Sequence, residues 1–132
     1  MSDDDLFSHD LTTAVVDHVA PDGALRLTID EQGETWEVIV EQDLQVRIDG
    51  ILGPRTASGR LGIAPSRLDG LAAHHLRVTR TGELRIHLHG CTLTAFPHER
   101  FEGWTLTGPG GLLIVACVGK GAAIFDPRSR GE

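Results

Sequence analysis

The sequence predicts an all-β fold, a mainly antiparallel meander, barrel-like or sandwich, with one short helix and roughly nine or ten short strands. Two observations predict it. Runs in which every second residue is apolar recur along the chain, which is typical of strands with one buried face. Turn-forming residues, including 16 glycines and 6 prolines, separate these runs. The length of 132 residues corresponds to a single domain.

Four strands are expected before Gly50. The first covers residues 15–19 and ends at the turn Pro21-Asp22-Gly23. Three alternating runs follow, at residues 25–29, 36–40 and 44–48. In each run the polar residues lie opposite the apolar ones, so each predicts a half-buried strand.

Residues 50–65 interrupt this alternation with four glycines and two prolines. The segment is either a long loop or an irregular sheet edge, and a long loop in a compact domain is a place to look for function. The short helix is expected directly afterwards. Ser66 would cap it, and Leu68 and Leu71 would share its buried face.

The second half of the chain repeats the strand pattern. Alternating runs are expected at residues 76–78, 84–88, 91–95 and 104–107. Trp104 opens the last of these runs and is predicted to be a buried core anchor rather than a binding residue.

His89-Gly90 is predicted to be a two-residue hairpin turn in which glycine supplies the positive φ angle. In such a hairpin Leu88 and Cys91 pair and face the core together, whereas His87 faces outward.

Residues 112–118 are apolar at every position. A strand of this kind is either central and covered on both faces, or it meets a partner chain. We therefore expect a homodimer formed through the C-terminal hairpin, because twofold pairing is the commonest way to cover such a face.

A weak internal repeat is also present. Leu25-Arg26-Leu27-Thr28-Ile29 and Leu84-Arg85-Ile86-His87-Leu88 share a pattern, and each is followed by a glycine-containing turn and another strand. A third alternating strand ends at Gly50 in the first half and at Gly108 in the second. The pattern favours a duplicated three-strand unit.

The termini are expected to lie outside the folded domain. Residues 1–11 are acidic and lack periodicity, so they are predicted to be a flexible N-terminus; residues 12–126 form the single β domain and residues 127–132 a flexible C-terminus. The acidic start is unlike a secretory signal. With no membrane-length apolar run and only two cysteines, expected to be free thiols, the sequence favours a cytoplasmic protein.

The charge distribution bears on the choice of partner. The formal net charge is −7, which argues against a nucleic-acid partner held by its phosphates. Residues 1–66 carry a net charge of −9 and residues 67–132 carry +2. This polarity either steers a basic partner or keeps the protein dispersed in solution.

The segment from Ala95 to Gly111 resembles a family of small proteins of GC-rich bacteria known only as a domain of unknown function. The resemblance rests on Phe101-Glu102-Gly103-Trp104 and on Gly108-Pro109-Gly110-Gly111. Phe101 stands where the family more often has Tyr, and the preceding connector carries Pro97 alone. The resemblance implies a β-rich fold of about this length and brings no activity. Proteins of this size often accompany bacterial toxins as immunity partners, which is an association only.

No metal or cofactor site is expected. Although the chain has seven histidines, zinc requires about four converging ligands. The predicted hairpin separates the nearest candidates, because His87 faces outward, His89 lies in the turn and Cys91 faces inward.

No catalytic residue is predicted. Ser58 lies outside a Gly-x-Ser-x-Gly elbow. Gly119-Lys120-Gly121 lacks the earlier glycine and the following Ser or Thr of a phosphate-binding loop.

The function expected from these observations is a non-catalytic protein-binding module, an immunity or regulatory protein with an unidentified partner. The candidate binding residues are Arg55, Arg60, Glu99, Phe101 and Glu102. The alternative is a small-ligand-binding or hydrolytic β domain with a pocket near Phe101, Glu102 and Trp104.

Overall fold

The computed structural model describes residues 5–20 and 24–127. Its regular structure is almost entirely strand and every strand pair is antiparallel, so the predicted fold class is confirmed. The strands are β1 Asp5–Ala20, β2 Leu25–Glu31, β3 Glu34–Val40, β4 Leu44–Ile48, β5 Ile51–Thr56, β6 Ala72–Thr79, β7 Leu84–Leu88, β8 Cys91–Ala95, β9 Trp104–Thr107, β10 Leu113–Ala116 and β11 Ala122–Phe125.

The strands form one open sheet in the order β11-β10-β9-β3-β2-β1-β6-β7-β8-β4-β5. Strands β11 and β5 are its two edges, so hydrogen bonding does not close the sheet into a barrel. Along most strands the buried apolar residues alternate with polar or exposed ones, whereas the edge strands β5 and β11 contain no buried residue. The buried residues form a single cluster. One face of the sheet, the inner face, therefore carries the core.

The sheet curls around that core. In a flat sheet β9 and β6, four places apart in the order, would be about 19 Å apart. Trp104 at the start of β9 nevertheless donates its indole N–H to the carbonyl of Gly82, 2.8 Å away in the turn after β6. The amide of Gly121 likewise donates to the carbonyl of Thr81 at 2.8 Å. The two halves of the sheet therefore face each other across the core.

Strand β1 corrects the expected N-terminal boundary. Residues 5–11, predicted to be a flexible terminus, form the first part of a 16-residue strand at the middle of the sheet. Residues 5–10 and 14–15 pair with β6, and residues 14–20 pair with β2. The acidic composition misled the prediction because the outward side chains of a central strand are free to be polar. Residues 1–4 and 128–132 of the predicted termini lie outside the described residues.

The strand order has an internal twofold pattern. The pattern appears when β11 is left out and each strand is exchanged with the strand five places away in sequence, β1 with β6, β2 with β7 and so on. The exchanged strands then have the same order, read from the opposite edge of the sheet. The repeated units recognised in the sequence correspond to β2-β3-β4 and β7-β8-β9. Each third strand crosses to the other half: β4 pairs with β8, and β9 pairs with β3.

The irregular segment after Gly50 is an edge strand. Residues 51–56 form β5, which among the described strands pairs with β4 alone. The predicted helix is a single 3₁₀ turn at Pro65–Arg67, and a second such turn lies at Pro109–Gly111. Ser66 is not the cap: Ala64 holds that position, because Pro65, with its preset φ and missing N–H, begins the turn. No helix in the described part of the chain is long and apolar enough to cross a membrane.

Of the two interpretations of the apolar run, a central strand covered on both faces is wrong for strand β10. It lies next to the edge strand β11, and its fully buried residues are Ile114 and Ala116 on the inner face, continued by Leu112 just before the strand. Val115 faces the other way and is half-buried, while Val118 is 55% exposed in the following turn. The run is apolar on both faces although only one face packs into the core.

Candidate binding surfaces around strands β4 and β5

The edge strand β5 borders a groove on the inner side of the sheet. The groove has a volume of about 330 Å³. We call it the β5 groove, and its apolar lining consists of Val46, Ile48, Ile51, Pro54, Leu61 and Ile63. Ile51 is 75% exposed and the adjacent Leu52 is 53% exposed. Large apolar side chains exposed beside an apolar cavity are typical of a surface that binds a partner.

The local sequence holds the far wall of the groove in place. The hydroxyl of Thr56 lies 3.0 Å from the carbonyl oxygen of Leu44 and 2.5 Å from that of Arg60. Gly59 donates its amide to the carbonyl of Gln42 at 2.7 Å. Its φ of +69° and the carbonyl oxygen of Val40, which a Cβ at this position would overlap, leave room for glycine alone. These contacts fold residues 57–68 back against the sheet.

The charged residues that line the groove are Asp49 and Arg67, and further arginines lie in the segment that follows Asp49. Residues 50–68 contain Arg55, Arg60 and Arg67 and no acidic residue. Arg55 is paired with Asp43 at 3.0 Å and lies 3.7 Å above the ring of Phe96. Among the described residues, the guanidinium groups of Arg60 and Arg67 form no ion pair. Of the two predicted arginines, Arg55 is therefore engaged by Asp43 and Phe96, and Arg60 is the one free to pair with a partner.

A second concavity lies on the opposite face of β4. It has a volume of about 530 Å³ and is built on the outward side chains of β7, β8 and β4. We call it the outer trough; its central polar residues are Gln45, Arg47, Arg85, His87, Thr92 and Thr94. The strand register places Arg85, Thr94 and Gln45 in one row, and His87, Thr92 and Arg47 in the next. The trough was missed in the sequence because it unites strands from both halves of the chain.

The pKa of His87 reports the electrostatic surroundings of the trough. Burial lowers the pKa of His87 below its usual value, and the positive charges of His75, Arg77 and Arg85 lower it further. Arg85 is paired with Glu83 at 2.8 Å, and Arg77 with Asp5 at 2.5 Å. The imidazole is therefore mainly neutral at pH 7, in a positive surrounding.

Sequence reasoning also missed a Ser–His–Asp hydrogen-bond chain on β1 and β6. His75 Nε2 lies 3.0 Å from Ser8 Oγ, and its Nδ1 lies 2.6 Å from Asp10 Oδ1. The connectivity is that of a catalytic triad, but the side chain of Asp10 is 92% exposed. Water solvates a carboxylate at this exposure, so it does not orient and activate the imidazole as a buried triad acid does. We interpret the chain as a cross-strand contact between β1 and β6.

The other predicted binding residues lie in the connector between β8 and β9. Glu99 and Glu102 are exposed, and Phe101 is 56% exposed with its ring 5.3 Å from that of His98. No hydrogen bond or ion pair between described side chains joins these residues to Arg55 or Arg60. The prediction for Trp104 is confirmed, since its side chain is 1% exposed and is therefore part of the core rather than the wall of a surface pocket.

The histidine and cysteine positions agree with the predicted hairpin. Leu88 pairs with Cys91, and His87 lies on the outward face. Both cysteines are free thiols; Cys91 is buried, which raises the pKa of its thiol, whereas Cys117 is half-buried after β10. In residues 5–20 and 24–127 no group of three or more His, Cys, Asp or Glu side chains is placed to hold a metal ion.

Comparison with known proteins gives one match. The sequence model of DUF6188, described as a family of unknown function, matches residues 7–125. No curated protein and no solved structure matches the chain.

Proposed function

The chain belongs to DUF6188, a family of unknown function, and we propose that it is a non-catalytic protein-binding module that uses the β5 groove. The observation that supports this most directly is Ile51, an apolar side chain 75% exposed on an edge strand beside an apolar groove. Exposing such a side chain is unfavourable in water, and a partner that covers it recovers about 25 cal/mol for each Å² of apolar surface buried.

We commit to one kind of occupant, an extended segment of another protein that carries an apolar side chain flanked by acidic residues. The groove would accept the apolar side chain. Arg60 and Arg67, which lack ion-pair partners among the described residues, would pair with its carboxylates. This reverses the expectation from the whole-chain charge, because residues 50–68 carry three arginines and no acidic residue although the protein carries −7.

Side-chain insertion is favoured over addition of a strand to the edge. Pro54 interrupts β5 and has no N–H to donate, and the pairing of β4 with β5 is irregular between Gln45 and Arg47. Both features are typical of edges protected against strand pairing. An immunity or regulatory role for a cytoplasmic protein would suit this mode, since occupying a partner's segment requires no chemistry.

Selection from a displayed random-peptide library tests the proposal. The expected result is enrichment of peptides with one large apolar residue between Asp or Glu residues. Ile51→Glu should abolish their binding, because it places a charge at the mouth of the groove, and Arg60→Glu combined with Arg67→Glu should weaken it by at least about tenfold. The matched control is Val118→Glu, a similarly exposed apolar position outside the lining of the groove.

Enriched peptides without acidic residues, or peptides that bind Ile51→Glu and wild-type protein equally, would contradict the proposal. A library that yields no binder specific to the folded protein would do so as well. Thermal unfolding of each variant shows that lost binding does not come from lost folding.

The homodimer expected from the sequence stays a separate proposal. The edge strand β11 and Phe125, which is 54% exposed, provide a surface at which a second copy could pack. Light scattering at micromolar concentration measures it, and a monomer would refute it.

A further inference from the structure

The outer trough has no part in the proposed function. Its lining residues, centred on β7, β8 and β4, are all different from those of the β5 groove. The two surfaces lie on opposite faces of the same sheet edge, since the side chains of neighbouring residues in β4, such as Val46 and Arg47, point to opposite faces.

The internal twofold pattern provides a comparison within the molecule. Through the strand register, each outward residue of the trough has an equivalent in the other half of the sheet. Arg85, His87, Thr94, Arg47 and Arg55 correspond to Arg26, Thr28, Ile39, Thr107 and Val115. The scaffold thus accepts threonine where the trough has His87 and Arg47, and valine where it has Arg55, whereas arginine is kept at the position of Arg85. Folding alone therefore does not require a basic residue at positions 47, 55 and 87.

The basic groups of the trough are only partly neutralised. Arg47 makes one hydrogen bond, to the carbonyl of Gly50 at 3.3 Å, and no ion pair among the described residues. Glu83 is the single acidic residue in the lining, and its pairing with Arg85 occupies one of the five N–H groups of that guanidinium. Arg47 and Arg85 therefore retain N–H donors for an oxyanion.

Other side chains in the trough add hydrogen-bond donors and an apolar surface to the two arginines. The hydroxyls of Thr92 and Thr94 belong to the same two rows of outward side chains as the arginines. The ring of Phe96 provides an apolar patch in the lining, with Arg55 stacked over it. Arginine binds phosphate and carboxylate through paired, parallel hydrogen bonds, and hydroxyls add further donors.

We propose that the outer trough binds a small metabolite through an oxyanion, a phosphate or a carboxylate, held by Arg47 and Arg85. The volume of about 530 Å³ exceeds what an inorganic ion fills and falls in the range of small-molecule sites. His87 lies in the same row as Thr92 and Arg47, and Glu83 limits the affinity by competing for Arg85. The site is independent of the β5 groove, and either can fail without the other.

The test follows the His87 ring proton by NMR while inorganic phosphate is added at constant ionic strength, up to about 10 mM, where even a weak site is occupied. A parallel titration uses succinate, and chloride is the ionic-strength control. The expected result is a saturable shift with phosphate or with succinate, which identifies the oxyanion. A bound anion should also raise the pKa of His87, because it offsets the positive charge of His75, Arg77 and Arg85.

Two variants and a matched control locate the site. Arg47→Gln should weaken binding by about tenfold or more, as expected for loss of a charged hydrogen-bonding partner. Glu83→Gln should strengthen binding severalfold by releasing Arg85. Arg26→Gln, at the position equivalent to Arg85 in the other half, should leave binding unchanged.

The proposal is overturned if neither anion gives a saturable shift, if chloride gives the same shift, or if Arg47→Gln binds as tightly as wild type. Equal loss in Arg26→Gln would also overturn it, since binding would then reflect overall charge. The backbone NMR spectrum of each variant verifies that the sheet is retained.

Discussion

Glu31 is the one charged residue that is buried in the described part of the chain, at 9% exposure. Burial by itself would raise the pKa of this carboxyl. Hydrogen bonds from the amide of Thr12, the indole of Trp36 and the imidazole of His9 outweigh that effect, so the pKa lies below its usual value. The donor–acceptor distances are 2.8, 3.0 and 3.2 Å respectively. The carboxylate thus holds β1 at the irregularity next to Thr13, whose φ is 52°.

Glu31→Gln is expected to lower the free energy of unfolding by about 1–3 kcal/mol at pH 7. Because the pKa of Glu31 is lower in the folded state than in the unfolded chain, its stabilisation is present above the unfolded value of about 4.3–4.5. It is lost as the pH falls through the lower folded pKa. The difference between variant and wild type should therefore narrow on acidification, measured by urea unfolding at pH 7 and below pH about 4.

Glu34→Gln, in the same hairpin but exposed, is the control and should change stability by less than about 0.5 kcal/mol. If Glu31→Gln lowers the free energy of unfolding by the same amount at both pH values, the charge of Glu31 does not contribute to stability.

Strand β1 shows how an element takes its stability from neighbours distant in sequence. Its first part alternates weakly, but Leu6 and Phe7 pack against the core and Leu11 is buried. The ring of Phe7 lies 6.4 Å from that of Trp36. Asp5 is paired with Arg77 of β6, which fastens the start of the strand. Residues 5–11 therefore contribute to the sheet rather than extend from it.

A chain that begins at Thr12 is expected to lose at least about 3 kcal/mol, since three apolar side chains leave the core. This corresponds to a decrease in melting temperature of about 10 °C or more. Thermal unfolding followed by circular dichroism measures it, with a chain that begins at Asp5, and so keeps β1 whole, as the comparison. If the two chains melt together, β1 before Thr12 is dispensable and its pairing with β6 contributes nothing to stability.

At the scale of the whole molecule, the curl of the sheet depends on a few contacts between its halves. The indole N–H of Trp104 reaches the carbonyl of Gly82 across the core. Gly82 has a φ of +99°, and a Cβ there would lie 2.5 Å from the carbonyl oxygen of Gly121. The close approach of these two turns therefore requires glycine at position 82.

Trp104→Ala should lower the free energy of unfolding by about 3–5 kcal/mol, because it empties a large buried volume. Trp104→Phe keeps most of the ring but leaves the Gly82 carbonyl without its donor, so a smaller loss of about 1–3 kcal/mol is expected. Chemical denaturation measures both. Phe125→Ala, an exposed aromatic position, serves as the control and should change stability by about 0.5 kcal/mol or less.

If Trp104→Phe is as stable as wild type, the bond across the sheet contributes nothing and packing alone holds the halves together. A Trp104→Ala variant that unfolds like wild type would contradict the assignment of Trp104 to the core.

The sequence by itself determined the strands and their faces. The alternation of apolar and polar residues correctly predicted which side chains of residues 25–29 and 84–88 face the core. The hairpin at His89-Gly90 has the predicted pairing of Leu88 with Cys91. It also identified Trp104 as a core residue. These features are local, because the side-chain period of a strand and the conformation of a turn depend on adjacent residues.

Only the tertiary structure decided which strands are neighbours. The central position of β1, the exchange of β4 and β9 between the two halves, and the curl of the sheet all come from pairings between residues far apart in sequence. The two candidate surfaces depend on the same pairings. Arg47 and Arg85 come to share one trough because β8 lies between their strands, and alternation along a single strand carries no information about that neighbour.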